Sequence, residues 1–175
     1  IGLLLLSNSR AIEAIGIIGW NMTNSFELTA IPLFIFMGEI LLRSGLSKIF
    51  YHNAMKSVGR LPGGLLQTNI VSCAIFAAIS GSSPATAAAI GSVAIPELKK
   101  HGYNRGMILG SLAGGGALGI LIPPSIIMII YGSIVSVSVE RLFIAGIIPG
   151  IVAAVMFMLY IGLVALFKPQ IFPEK

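Results

Sequence analysis

Charge is scarce in this sequence: only 10% of its 175 residues are Asp, Glu, Lys or Arg, where soluble domains carry about 25%. That shortage excludes an ordinary water-soluble domain. Cysteine occurs once, at Cys73, in an apolar setting, so no intrachain disulfide can form. Histidine occurs twice, at His52 and His101, both in basic stretches, which argues against a zinc site because no Cys/His group has metal-ligand spacing. The opening IGLLLL is too short, and too poor in flanking basic residues, for a signal peptide. It reads as the tail of a truncated helix, and the chain as a fragment of a longer protein. A net charge of +5 suggests nucleic acid at first sight, but the basic residues fall in short clusters between apolar runs, the pattern of membrane topology.

What the chain has in abundance is apolar sequence, at 56% of positions, with 21 glycines and 9 prolines. Transmembrane helices accept both residues more readily than soluble helices do. Residues 26–42, FELTAIPLFIFMGEILL, read as a membrane helix closed by RSGLSK. Glu39 lies inside that run but four residues before Arg43, a spacing that suggests an ion pair or snorkelling rather than a proton relay. From 46 to 62, Lys48, His52, Lys56 and Arg60 recur every four residues. They form one basic stripe, suited either to a helix lying on a membrane surface or to a solvated linker helix.

Two apolar legs follow, 63–80 and 84–96, joined by SGSSPAT and followed by the basic stretch ELKKHGYNR at 97–105. The second leg would cover only about 20 Å, too little to cross the bilayer core. The pair is therefore expected to form a re-entrant hairpin with both ends on one face. A long apolar stretch from Met107 to Val135 is interrupted by GGG at 114–116 and GILIPPS at 119–125, and Pro123 and Pro124 predict a break near its middle. Leu142–Phe167 gives a last span. Basic loops on one side hold nine Lys and Arg residues against two, Arg10 and Arg141, on the other, which sets the orientation by the positive-inside rule.

Irregular backbone at membrane depth needs protein or water around it, so SGSSPAT needs partners. The hydroxyls of Ser80, Ser82, Ser83 and Thr86, with freed carbonyls, are hard oxygen donors for a small cation, and Gly81 and Pro84 suit a tight turn into a returning helix. Packing by small side chains would use the same residues. The triglycine is read as a place of close backbone contact, and Gln67 and Asn69 as residues that fix the tip or mark the start of the leg. Gly81, Ser83 and Ala85 resemble the surroundings of a serine nucleophile, but no base stands within reach, so an intramembrane hydrolase is set aside. A gated channel built from half-helices is a further reading; one asymmetric tip facing a separate broken helix fits alternating access better.

The segments IPLFIFMGEILLRSGL at 31–46, GRLPGGL at 59–65, ISGSSPATAAAIGSVAIPELKKHGY at 79–103, LGILIPPS at 118–125 and LFIAGIIPG at 142–150 occur in order. In this set the chain resembles the large membrane subunit of tripartite ATP-independent periplasmic (TRAP) transporters. The resemblance implies an all-α membrane protein with transmembrane helices, one re-entrant helical hairpin and one broken helix, forming the first of two inverted repeats of an elevator transporter. Residues 1–62 would supply scaffold and surface arm helices, 63–98 the hairpin and 105–138 the broken helix of a transport domain, and 139–175 a membrane helix leading to the second repeat.

Function follows the same resemblance: no enzyme, but sodium-coupled import of an organic acid such as a C4-dicarboxylate across the bacterial or archaeal cytoplasmic membrane. The expected partners are a small membrane subunit and a periplasmic solute-binding protein. Carried over by position, Ser80, Gly81, Ser82, Ser83, Thr86, Gly119 and Pro123 would form a sodium site, and Ser82, Ser83, Pro84, Thr86, Pro124 and Ser125 a wall of the substrate site.

Overall fold

The computed structural model of the chain describes residues 10–24 and 26–173; the opening IGLLLL lies outside them. The described residues form eight α-helices and a short 3-10 turn, Pro169–Ile171, with no strand. In chain order the helices are α1 (Arg10–Thr23), α2 (Phe26–Arg43), α3 (Leu46–Val58), α4 (Leu65–Ser80), α5 (Ser83–Lys100), α6 (Arg105–Leu121), α7 (Ile126–Val135) and α8 (Val139–Phe167). Among the described residues only α8 is by itself long and apolar enough to cross a membrane. The bent pairs α2/α3, at 68°, and α6/α7, at 40°, reach that length together. The expectation of an all-α membrane protein with a hairpin and a broken helix is met.

The core lies among α4, α5 and α6. Phe76, Leu66, Ile70, Ile90, Leu98 and Leu118 are fully buried there, while the outer helices expose Ile, Leu and Phe freely. That inversion is what a lipid solvent permits, since hydrocarbon does not penalise an exposed leucine. Helix α6 is the hub. Its three consecutive glycines, each turned about 100° from the last, face three different helices: Gly114 meets Phe157 of α8, Gly115 meets Cys73 of α4, and Gly116 meets Ala87 of α5. Close contact is thus their use, but Gly114 and Gly115 admit neighbouring side chains and only Gly116 lies near backbone, at Ala87 and Ser83; the helix does not break there.

One boundary differs from expectation. Helix α5 does not stop at Pro96 but runs on through Glu97, Leu98, Lys99 and Lys100, so the second leg measures about 27 Å rather than about 20 Å. A proline inside a helix costs about 3 kcal/mol. Burying Leu98 completely, next to buried Ala94, offsets that cost, and the His101 amide closes the helix on the Glu97 carbonyl. Helix α8 likewise begins at Val139, ahead of Leu142, because the Ser138 hydroxyl accepts from the Arg141 amide as its cap.

Helix α3 is two-faced. Ser47, Tyr51 and Ala54 are buried, while Lys48, His52, Lys56 and the following Arg60 are exposed. Exposed Glu39 pairs with Arg43 at 2.6 Å, the expected ion pair of one helical turn.

Candidate functional site

The tip of the α4/α5 hairpin rests on the break between α6 and α7. Gly81 closes α4 at φ 62°, and its amide donates to the Ala77 carbonyl. The Gly81 carbonyl accepts from the amide of Ile126, the first residue of α7, at 3.1 Å. A Cβ on Gly81 would sit 2.6 Å from the Pro124 carbonyl oxygen, and one on Gly119 would sit 2.8 Å from the Ser83 nitrogen. Glycine at both points lets the two backbones touch.

Hydroxyls line this junction in three different states. Ser80 and Thr86 are fully buried and hydrogen-bonded to each other at 2.9 Å across the tip. Ser82 caps α5, its hydroxyl accepting from the Ala85 amide at 3.4 Å, and its carbonyl takes the Thr86 amide. Ser125 heads α7, fully buried, with no hydrogen-bond partner for its hydroxyl. A Cβ on Gly81 would lie 3.5 Å from the Ser125 Cα. Buried polar atoms of Tyr51, Gln67, Thr68, Asn69 and Ser72 also lack a partner among the described residues, but of these six only Ser125 lies at the junction. Such an orphan costs about 1–3 kcal/mol, a cost that a ligand would remove.

Backbone oxygens add to the set through the prolines. In a continuous helix residue i+4 donates to carbonyl i, but the residue four beyond Ser80 is Pro84, and those four beyond Gly119 and Ile120 are Pro123 and Pro124. Having no N–H, these prolines leave the three carbonyls without their helical donors. The Ser80 carbonyl is approached by Gly38 of α2, at 3.9 Å from the position of a Cβ. The Leu121 carbonyl turns instead toward Gly146 and Gly150 of α8.

Part of the expected set is brought together: Gly81 lies against Pro124 and Ser125, and Gly119 against the Ser82–Ser83 peptide, while Ser80 and Thr86 pair with each other behind the tip and Pro84 is exposed at the start of α5. Four expected ligands are already engaged, since the Gly81 carbonyl holds the Ile126 amide, the Ser80 and Thr86 hydroxyls hold each other, and the Ser82 hydroxyl accepts from the Ala85 amide. Sequence reasoning missed Gly38, Gly146 and Gly150, which close over the junction. The four-residue spacing of Gly146 and Gly150 is a small-residue helix contact pattern that points to the last pair. Gln67 and Asn69 do not touch the tip. The Gln67 amide donates to the carbonyls of Pro62 and Met158, and Asn69 donates to the Ser111 hydroxyl at 2.8 Å, fastening α4 to α8 and α6.

Four helix ends meet here: the C-termini of α4 and α6, with negative dipole ends, and the N-termini of α5 and α7, with positive ones. A junction of this kind offers oxygens to a cation and amides to an anion at the same place. Among the described residues no three His, Cys, Asp or Glu side chains gather to hold a metal ion, so the donors are hydroxyls and carbonyls alone.

Comparison with known proteins agrees with this architecture. The family model described as "Tripartite ATP-independent periplasmic transporter, DctM component" matches residues 3–173. A C4-dicarboxylate TRAP transporter large permease protein from Pseudomonas aeruginosa is 38% identical over 94% of this chain and 39% of its own length. One from Vibrio cholerae is 42% identical over 82% of this chain and 32% of its own length. An isethionate TRAP transporter permease protein from Oleidesulfovibrio alaskensis is 38% identical over 90% of this chain and 25% of its own length. The chain thus spans two-fifths or less of the length of these relatives, whose names describe transporter permeases and not enzymes.

Proposed function

Because the chain belongs to the DctM component family of tripartite ATP-independent periplasmic transporters, we propose that it forms part of the large permease of a sodium-coupled importer of small organic anions in the cytoplasmic membrane. The observation that carries this reading is the Ile126 to Gly81 hydrogen bond beside the unpaired, buried Ser125 hydroxyl. The tip of a hairpin and the break in a separate helix are held together there, with polar groups left over.

Helix α8 supports placing that junction at membrane depth. Its Met158 carbonyl meets Gln67 near the start of α4, and its Gly146 and Gly150 meet the α6/α7 break. From Gly150 the helix runs about 25 Å to Phe167 and about 16 Å to Val139. The junction lies partway along the span, so the α4/α5 hairpin turns back before the far end. On this reading the hairpin is re-entrant, and α7 would continue the crossing that α6 begins.

A sodium ion fits the donor set, being a small hard cation that binds hydroxyl and carbonyl oxygens. Ser125, Ser82 and Ser83, with the carbonyls freed by Pro123 and Pro124, would hold it, and its charge would draw an anion to the same place. The N-termini of α5 and α7 would take the carboxylate of a C4-dicarboxylate or a similar acid, and the positive-going backbone dipoles there favour negative charge. The hairpin and the α6/α7 pair, with α8 keyed to them, would move as one body against a scaffold to which residues 1–62 contribute, with a small membrane subunit beside it and a periplasmic binding protein delivering cargo. Cation and substrate sharing one junction implies reciprocal coupling, so each raises the affinity for the other.

The test is uptake by the intact permease with its partner subunits in liposomes. Sodium-dependent, binding-protein-dependent uptake that loses its sodium dependence in a Ser82→Ala/Ser83→Ala variant is expected. Unchanged sodium dependence would remove the cation site from this junction.

A further inference from the structure

At the opposite end of the bundle from the α7/α8 turn, a cleft of about 690 Å³ opens between the loop before α4, the α5/α6 turn and the last turn of α8. Its lining is of two kinds. Leu61, Leu166 and Phe172 form an apolar wall, and Arg60, His101 and Tyr103 supply polar groups. Arg60 is exposed and makes no ion pair with a carboxylate among the described residues. His101 uses Nδ1 on the Glu97 carbonyl at 2.9 Å, with the Glu97 carboxylate 3.6 Å away, which leaves Nε2 for a ligand. The Tyr103 hydroxyl accepts from the Leu65 amide at 3.2 Å, so its proton is free to be donated, and its ring packs edge to face on Phe172.

The position of the cleft narrows what it can hold. Leu166 and Phe167, 66% and 80% exposed, end the longest apolar helix, and Lys168 follows at once. One wall of the cleft is thus continuous with the lipid-facing side of a span, at the level where hydrocarbon gives way to headgroups. The other wall carries Arg60, the last member of the exposed basic series Lys48, His52 and Lys56. A free inorganic anion has no use for the apolar wall, and a zwitterionic lipid gains little from the surplus of positive charge. Basic pockets at the end of transmembrane helices suit anionic lipid headgroups.

We propose that this cleft binds one anionic phospholipid of the leaflet on the basic side, its phosphate held by Arg60, His101 and the Tyr103 hydroxyl and an acyl chain laid along Leu166 and Phe172. This rests on the chain spanning a membrane and is independent of the transported substrate and of the sodium site. It fixes the junction of α3, α5 and α8 to the bilayer at a defined depth.

The intact permease complex, stripped of lipid in detergent, tests the idea by native mass spectrometry with phosphatidylglycerol, phosphatidylcholine of the same acyl chains, or inorganic phosphate. Phosphatidylglycerol retained at least fivefold better than phosphatidylcholine, and not displaced by millimolar phosphate, is expected. Arg60→Gln should lower that retention at least fivefold and Arg60→Lys should restore part of it, with thermal stability unchanged because the side chain is exposed. Equal retention of both lipids, displacement by phosphate alone, or indifference to Arg60→Gln would overturn the proposal.

Discussion

Ile126 donates its amide to the Gly81 carbonyl at 3.1 Å, joining residues 45 positions apart and bringing a hairpin tip to the head of the second half of a broken helix. Around this bond the tip and the break behave as one surface, and the substitutions that separate them should be felt at both.

Gly81→Ala is the sharpest of these. The residue has φ 62° and a Cβ there would stand 2.6 Å from the Pro124 oxygen. Left-handed backbone costs a non-glycine residue about 1–2 kcal/mol, and the clash adds to it. The variant should melt several degrees lower than the wild-type permease and transport at least tenfold more slowly, as measured by thermal unfolding and liposome uptake.

Gly119→Ala and Gly110→Ala form a contrast within α6. A Cβ on Gly119 meets the Ser82–Ser83 peptide at 2.8–2.9 Å, while one on Gly110 meets nothing within 4 Å. Gly110→Ala should be neutral or stabilise by up to about 1 kcal/mol through helix propensity. Gly119→Ala should destabilise by about 1–3 kcal/mol through overpacking. Equal melting temperatures for the two variants would mean that the tip does not press on α6.

Ser125→Ala separates a structural role from a ligand role. The buried hydroxyl has no partner, so its removal should leave sodium-free stability unchanged or raise it by about 1 kcal/mol. If the hydroxyl helps hold sodium, the rise in melting temperature that sodium chloride gives over choline chloride should shrink markedly in the variant. A full sodium-induced rise would assign Ser125 to packing.

Ser80 and Thr86 can be tested by a double-mutant cycle. Their hydroxyls are 2.9 Å apart and fully buried, so Ser80→Ala and Thr86→Val should each destabilise. The double variant should lose less than the sum, by about 0.5–1.5 kcal/mol. Strict additivity would mean that the two hydroxyls do not rely on each other.

Glu39→Gln, in contrast, should change stability by less than about 1 kcal/mol, because its pair with Arg43 is exposed. The pH profile of uptake should be unaltered. A profile displaced in this variant would reopen a proton role for the acid.

Much of the site was legible because it is built from residues with strong backbone rules. Gly81 marks a left-handed turn, Pro84 a helix start, and Pro123 with Pro124 a break, and these act locally whatever surrounds them. The end of α5 was not legible, because Pro96 carries the same local signal as Pro123, and only the burial of Leu98 decides that the helix continues. Which hydroxyls are spoken for was equally hidden: Ser80, Ser82 and Ser125 look alike in sequence, yet one is paired, one caps a helix and one is left over. The contact between tip and break depends on tertiary register, which the glycines at 81 and 119 permit but do not specify.

The three glycines at 114–116 have a further consequence. They act like notches cut round a shaft, each engaging a separate neighbour, so α6 is keyed rotationally to α4, α5 and α8 at once. A single residue inserted between Arg105 and Gly114 would wind all three notches out of mesh by about 100° while leaving composition and apolar length intact. Tolerance to point substitution along the outer face of α6 should therefore coexist with intolerance to any change in its residue count.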